Sequence, residues 1–276
     1  MTWRNPHFLG FAARPSKPLR VALGSALFVL CLALYLTASH LRHRDNPQDK
    51  ILPSFGQMAT AVYQMGFQRD TRTGEYLMLV DTASSLRRLF IGVLLAAALG
   101  LVLGLNMGLF PGVEALTAVF VTVVSIIPPL AVLPILFIAF GVDEFAKIML
   151  ILIGTFPLIC RDIYLYTKKL PYEQVIKSLT LGAGAFTTAY RIVLPQVMPR
   201  LLEAMRLSFG AAWLFLIAAE AIASTDGLGY RIFLMRRYLA MDVIIPYVFL
   251  ITALGFAMDV SLKRFVLWRF RWYSGR

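Results

Sequence analysis

An all-α membrane protein with six transmembrane helices is the fold that three features of this sequence predict. Of its 276 residues, 59% are hydrophobic and 15% are charged, and the mean hydropathy is +0.72. Soluble domains carry about 25% charged residues, so this chain needs lipid as part of its solvent. The apolar residues gather in runs of about 20, the length that crosses a hydrocarbon layer at about 1.5 Å per residue. Lys and Arg gather between the runs, which accounts for a net charge of +12 without nucleic acid. No zinc-finger spacing or RNA-binding signature is present.

The elements follow in order. Residues 1–20 form a basic tail with Arg4, Arg14, Lys17 and Arg20. The first span, 21–39, is too long for the apolar core of a cleaved leader, and further apolar segments follow it. The loop 40–88 holds seven Lys and Arg against five Asp and Glu. Within it, 52–67 has the pattern of an amphipathic helix lying along the membrane face, with Pro53 in its first turn. The second and third spans lie within 89–142, where Glu114 is the one charge, and Gly108-Leu109-Phe110-Pro111-Gly112 separates them. The fourth span is 145–166, the fifth 207–225 and the sixth 243–262. Residues 21–276 form one membrane domain without a clear internal repeat.

An even number of spans leaves both termini on one side. The N-terminal tail is basic, the C-terminal tail carries Lys263, Arg264, Arg269, Arg271 and Arg276, and the segment after span four carries Lys168, Lys169, Lys177, Arg191 and Arg200. The positive-inside rule places all three in the cytoplasm. The loop 40–88 then lies outside, where its length weakens the rule. His40 and His43 at the end of the first span read as interface residues rather than a metal site. Cys31 and Cys160, both inside apolar runs, read as packed thiols.

Four features stand out within the spans. Gly100, Gly104 and Gly108 repeat GxxxG on one face, the spacing that lets helix backbones approach, inside a bundle or at a dimer seam. Ser125, Pro128, Pro129 and Pro134 predict an unwound or kinked third span, because proline removes a backbone donor and clashes with the preceding turn. Freed carbonyls at membrane depth need protein or a cavity beside them, so this span is a candidate pathway wall. Glu220 and Asp259 are carboxylates in apolar runs, each costing about 2.5–3.5 kcal/mol at a helix centre. Structural ion pairs are the favoured reading, with Arg231, Arg236 or Arg237 expected to partner Glu220 and Lys263 to partner Asp259.

The stretch 171–199 is too polar to span and too patterned for a plain linker. Residues 172–181 and 186–193 suit two short helices, broken at Gly182 and Gly184. A folded helix–turn–helix projecting from a membrane bundle is a docking knob for a soluble partner. Gly182, Ile192 and Leu194-Pro195 match the spacing of the cytoplasmic loop in permease subunits of binding-protein-dependent ABC importers, which this chain resembles. Ile176-Lys177-Ser178 stand where that family has Glu-Ala-Ala, with Glu173 one turn earlier. The resemblance runs over about 86–273, from Ser84-Ser85-Leu86-Arg87-Arg88, through Pro128-Pro129-Leu130-Ala131 and Phe140–Ile148, to Ala219-Glu220 and Gly227-Leu228-Gly229. Together these look like the nitrate/sulfonate/taurine branch.

The resemblance implies a type I ABC importer-like fold with a coupling helix between spans four and five. It implies a homodimer in the bacterial inner membrane, two separate ATPase subunits and a periplasmic substrate-binding protein. Coupling to the ATPase then falls to Glu173, Lys177, Ser178, Gly182, Ala183, Gly184 and Phe186. Ser125, Pro128, Pro129, Trp213 and Glu220 are the candidates for the pathway or gate. The chain has no Gly-x4-Gly-Lys-Ser/Thr loop, so it is no enzyme itself and binds no cofactor, and ATP and Mg belong to the partner. A secondary carrier and a non-transporting scaffold are the alternatives.

Overall fold

The computed structural model describes residues 16–45, 49–71 and 73–273. The tail before residue 16 and Arg276 lie outside the described residues. The long helices are α1 (Lys17–Asp45), α3 (Leu77–Leu109), α6 (Glu144–Lys168), α9 (Leu194–Ile222) and α11 (Met241–Arg269). Between α3 and α6 the chain forms α4 (Pro111–Ile126) and α5 (Pro129–Phe140), which meet at 97°. Counting that bent pair as one crossing makes six helical segments long and apolar enough to span, among the described residues. The remaining helices are α2 (Phe55–Phe67), α7 (Tyr172–Thr180), α8 (Ala185–Thr187) and α10 (Leu228–Arg236), with a π-turn over Thr188–Val193.

The third span is thus two helices, not one kinked helix. Ile127-Pro128 is extended backbone at the elbow, and Pro129 starts α5 where its missing N–H costs nothing. The fifth span also differs from expectation. Helix continues from 185 through to Ile222, and Pro195 and Pro199 lie within α9 instead of before it. Pro195 offers no N–H to the turn before it, and that turn is the π-turn over Thr188–Val193, where the hydrogen-bond ladder is already irregular.

The core is the packing of α3, α6 and α9. Gly92, Gly100, Gly104 and Gly108 turn one side of α3 into a groove for α6. A Cβ on Gly104 would lie 2.5 Å from the Cys160 carbonyl oxygen, and one on Gly108 2.5 Å from Thr167 Cβ. The glycine repeat therefore serves a close crossing inside the bundle. Leu89, Val93, Ala96, Leu150, Ile151, Ile159, Ile163, Ala212, Leu216 and Ala219 fill the seam.

The amphipathic helix before α3 is present as α2. Its N-cap is Ser54, which exchanges side-chain and backbone hydrogen bonds with Gln57, so Pro53 precedes the helix instead of entering its first turn. Met58 and Ala61 are buried. The apolar window of α1 buries none of its residues. Among the described residues, its hydrogen bonds beyond the helix run to the segment before α2 and to the first turn of α2. Tyr35 O–H donates to the Pro53 carbonyl at 2.6 Å, Ser39 Oγ donates to the Leu52 carbonyl at 3.1 Å, and the His43 ring bonds Gln57 Oε1 at 3.0 Å. Arg42 pairs with Asp49.

Candidate functional site

Two built regions lie at opposite ends of the bundle. The first is the knob made by α7, α8 and the π-turn. Tyr172, Val175 and Leu179 line a cavity of about 440 Å³, with Gly108, Leu109, Phe110 and Thr167 on its bundle side. Helix α7 stops because Gly182 takes a φ of +86°, which an L side chain rarely adopts. The Gly182 N–H donates to the Leu179 carbonyl and the Ala183 N–H to the Ser178 carbonyl, both at 3.0 Å. This paired pattern is a Schellman cap with Gly182 as its left-handed residue.

Past the cap, Gly184 precedes α8, and the Ser178 and Thr188 hydroxyls bond at 2.8 Å, tying the two arms of the knob together. Gln196 donates to the Gln174 side chain at 2.9 Å. The outer surface of the knob is apolar at its tip. Leu181 is 85% exposed and Phe186 72%, with Ile176 also exposed. Phe186 stacks on Tyr190, and Phe110 lies 6.1 Å from it. Glu173 and Lys177 are exposed beside this tip. Around Gly182 and Gly184 nothing among the described residues lies within 4 Å of where a Cβ would stand. Glycine is needed at 182 for its backbone conformation, not for close approach within this chain.

The second region is a buried ion network at the far end. Asp81, Ser85 and Arg88 share one face of α3 at helical spacing. Arg88 forks onto Glu144 at the start of α6, at 2.6 and 2.7 Å. Its Nη1 donates to Glu220 of α9 at 2.7 Å and to the Asp226 carbonyl at 3.0 Å, while Nη2 also reaches the Asp226 carboxylate. Glu220, wholly buried, further accepts from Ser85 Oγ at 2.8 Å and from the Gly229 N–H at 2.8 Å. Asp81, equally buried, accepts from the Gly227 N–H at 3.0 Å, Arg231 Nε at 2.8 Å and the Tyr247 O–H at 3.1 Å. Lys147 reaches Glu144 at 3.0 Å and Ser224 Oγ at 3.1 Å.

One turn of backbone closes over this network. Gly227 has φ +114°, and a Cβ there would lie 2.5 Å from the Glu220 carboxyl carbon. The strand of loop between α9 and α10 can pass over Glu220 only without a side chain. Each fully buried carboxylate has a guanidinium partner and further donors, the condition under which buried charge is tolerated. The half-exposed members are Glu144 and Asp226.

Glu220 is therefore ion-paired, as the sequence reading expected, but with Arg88 instead of Arg231, Arg236 or Arg237. Arg231 pairs with Asp81. Asp259 pairs with Arg206 at 3.2 Å, not with Lys263. In each case the partner comes from another helix, and proximity in sequence misled. The polar face of α3 is legible in the sequence as Asp81, Ser85 and Arg88 at spacings of four and three.

The knob residues Glu173, Lys177, Ser178, Gly182, Ala183, Gly184 and Phe186 all lie on α7, its cap and α8, with Ser178 buried. The pathway candidates fall at three places. Ser125, Pro128 and Pro129 surround the α4–α5 elbow, where Ser125 Oγ bonds the Thr122 carbonyl at 2.7 Å. Trp213 is buried at the α9–α11 seam, beside Gly255, and its indole Nε1 has no hydrogen-bond partner among the described residues. Glu220 is in the network.

A family model described as "Binding-protein-dependent transport system inner membrane component" matches residues 83–269. The chain belongs to this family. The matched region begins at Ala83, between Asp81 and Ser85 of α3, and ends with α11. The taurine transport system permease protein of Escherichia coli K12 is 30% identical over 66% of this chain and 66% of its own length. The bicarbonate transport system permease protein of Synechococcus elongatus is 30% identical over 70% of this chain and 68% of its own. The fold is also that of a chain in the inward-facing MetNI methionine ABC transporter, at TM-score 0.61, 19% identity, and coverage of 69% of this chain and 95% of that one.

Proposed function

We propose that two copies of this chain line the translocation pathway of an ATP-driven importer in the bacterial inner membrane. The substrate is a small anion of the sulfonate, taurine, nitrate or bicarbonate type, delivered by a periplasmic binding protein. The observation that carries this reading is the knob. It is a rigidly capped helix–turn with an apolar tip, projecting from the end of the bundle where Lys and Arg gather. Such a tip suits insertion into a groove on a soluble ATPase. The knob and both termini then lie in the cytoplasm. ATP and Mg belong to the ATPase pair.

The elbow supports pairing. At Ile127-Pro128 the backbone leaves helical form on an exposed surface. Non-helical backbone at membrane depth is stable only against protein or a wet cavity. A second copy and the pathway between the copies supply both. Ser125, Pro128 and Pro129 lie along that surface, while Trp213 at the α9–α11 seam and Glu220 in the buried network are the remaining gate candidates. In this reading the Arg88 network keeps the outer ends of α3, α6 and α9 moving as one body. ATP binding acts through α7, and each partner shifts the bundle by its different affinity for the two states.

The test is reconstitution with the ATPase and binding protein in vesicles, with hydrolysis followed over a panel of small anions and cations. One anion is expected to stimulate ATP turnover and to accumulate inside. Accumulation that needs no ATPase would make the chain a secondary carrier. An ATPase-bound complex that no solute stimulates would overturn the importer reading.

A further inference from the structure

A second cavity lies at the knob end, away from the knob itself. It has a volume of about 510 Å³ and is framed by Tyr166 from the end of α6, Arg200, Glu203 and Arg206 from the start of α9, and Lys263 from the end of α11. Tyr273 closes one side, donating its hydroxyl to Glu203 at 2.8 Å. Leu202, Val266 and Leu267 give it an apolar wall. Arg200 is spoken for: it forks onto Asp162, touches Glu203 at 3.3 Å and lies over the Tyr166 ring. Arg206 leans on Asp259 at 3.2 Å. Lys263 is exposed and has no carboxylate partner among the described residues.

The position of this cavity matters as much as its charge. Tyr166 is two residues from the end of α6, and Arg200 lies in the second turn of α9, so the opening sits at the boundary of the apolar layer. Beside it Trp268 is 68% and Trp272 59% exposed, with Phe265 exposed as well. Tryptophans at that level mark the headgroup region of a bilayer. A site with a cationic mouth, an apolar wall and an interfacial depth suits a phosphate carried on acyl chains better than a free ion.

We propose that this cavity binds the headgroup phosphate of an anionic phospholipid, with Lys263 as the main unneutralised charge. Tyr166, Arg200 and Glu203 form its fixed frame, and Leu202, Val266 and Leu267 take the start of the acyl chains. The inference rests on membrane placement and not on the importer reading, so either can fail alone.

The experiment is native mass spectrometry of the full chain in detergent, titrated with phosphatidylglycerol or phosphatidylcholine. Phosphatidylglycerol is expected to bind at least about fivefold more tightly, the effect of roughly one basic side chain at a membrane surface. Lys263→Gln should remove most of that preference and Lys263→Arg should keep it. Arg87→Gln, a charge change at the opposite end, should leave it unchanged. Circular dichroism and elution volume on each variant show that the fold is intact, as expected for an exposed residue. Equal binding of the two lipids, or an unchanged preference in Lys263→Gln, overturns the proposal. So does displacement of the lipid by inorganic phosphate at matching concentration, which would make the cavity a free-anion site.

Discussion

Arg88 Nη1 and Glu220 Oε1 lie 2.7 Å apart, joining α3 to α9 across 132 residues of chain. The bond sits inside a set of carboxylates and cations that holds five helices at one end of the bundle. The value of such a pair is asymmetric. It adds little over apolar residues of the same shape, but losing one partner strands a buried charge.

That asymmetry predicts the ranking of three variants. Arg88→Met leaves Glu220, wholly buried, with no cation, and should destabilise the protein by about 3–5 kcal/mol. Glu220→Gln should cost less, because Arg88 keeps Glu144 and Asp226. The double variant should be less damaged than the sum. Thermal unfolding in detergent provides the three values, and strict additivity would mean that the two side chains do not interact.

Gly182 and Gly227 both have positive φ, yet their substitution should fail differently. Gly182→Ala meets no neighbour and pays only the left-handed conformation, about 1–2 kcal/mol in the cap. The bundle should stay folded while ligand-stimulated ATP hydrolysis falls, and Gly182→Asn should recover part of it. Gly227→Ala adds a clash with the Glu220 carboxylate and should lower the unfolding temperature of the whole bundle. Comparable unfolding temperatures for the two alanine variants would contradict this contrast.

The α3–α6 seam yields a paired comparison. A Cβ at Gly104 meets the Cys160 backbone oxygen, which cannot step aside, so Gly104→Ala should cost about 1–3 kcal/mol. Gly112→Ala finds open space at the start of α4 and should be neutral or stabilising by about 0.4–1 kcal/mol. Protease resistance of the purified chain ranks the two.

Trp213 carries a buried indole N–H without a partner among the described residues. Trp213→Phe removes that donor and keeps most of the ring, so stability should hold or rise by up to about 1 kcal/mol. Transport should drop if the N–H meets substrate or a moving helix during the cycle, as the pathway reading expects. Wild-type uptake in a stable Trp213→Phe protein would take Trp213 off the pathway.

How much of this could be read from sequence depended on the range of the interaction. Span positions and the break near Gly108-Pro111 follow from local apolarity and turn chemistry, and α3 and α4 meet at Phe110. The glycine repeat announced a close crossing but not its partner, because Cys160 and Thr167 are an entire elbow away in the chain. Gly182 was identifiable because a Schellman cap is written within six residues. Arg88 and Glu220 were not paired in advance, since nothing in a linear pattern says which of several arginines folds back. The 97° bend was readable only as a weakness at Pro128-Pro129. Its size depends on what α5 packs against.

The isolation of α1 also bears on how the chain is made. Its apolar window is bare, and the segment it bonds to docks in turn on α11, where the Met241 N–H meets the Lys50 carbonyl at 3.3 Å. During synthesis α1 enters the bilayer almost 200 residues before that docking surface exists. It must therefore persist as a solitary helix in lipid until the last span arrives. Its unbroken apolar surface meets that demand, whereas a helix grooved like α3 would leave unfilled gaps against the lipid until α6 joined it.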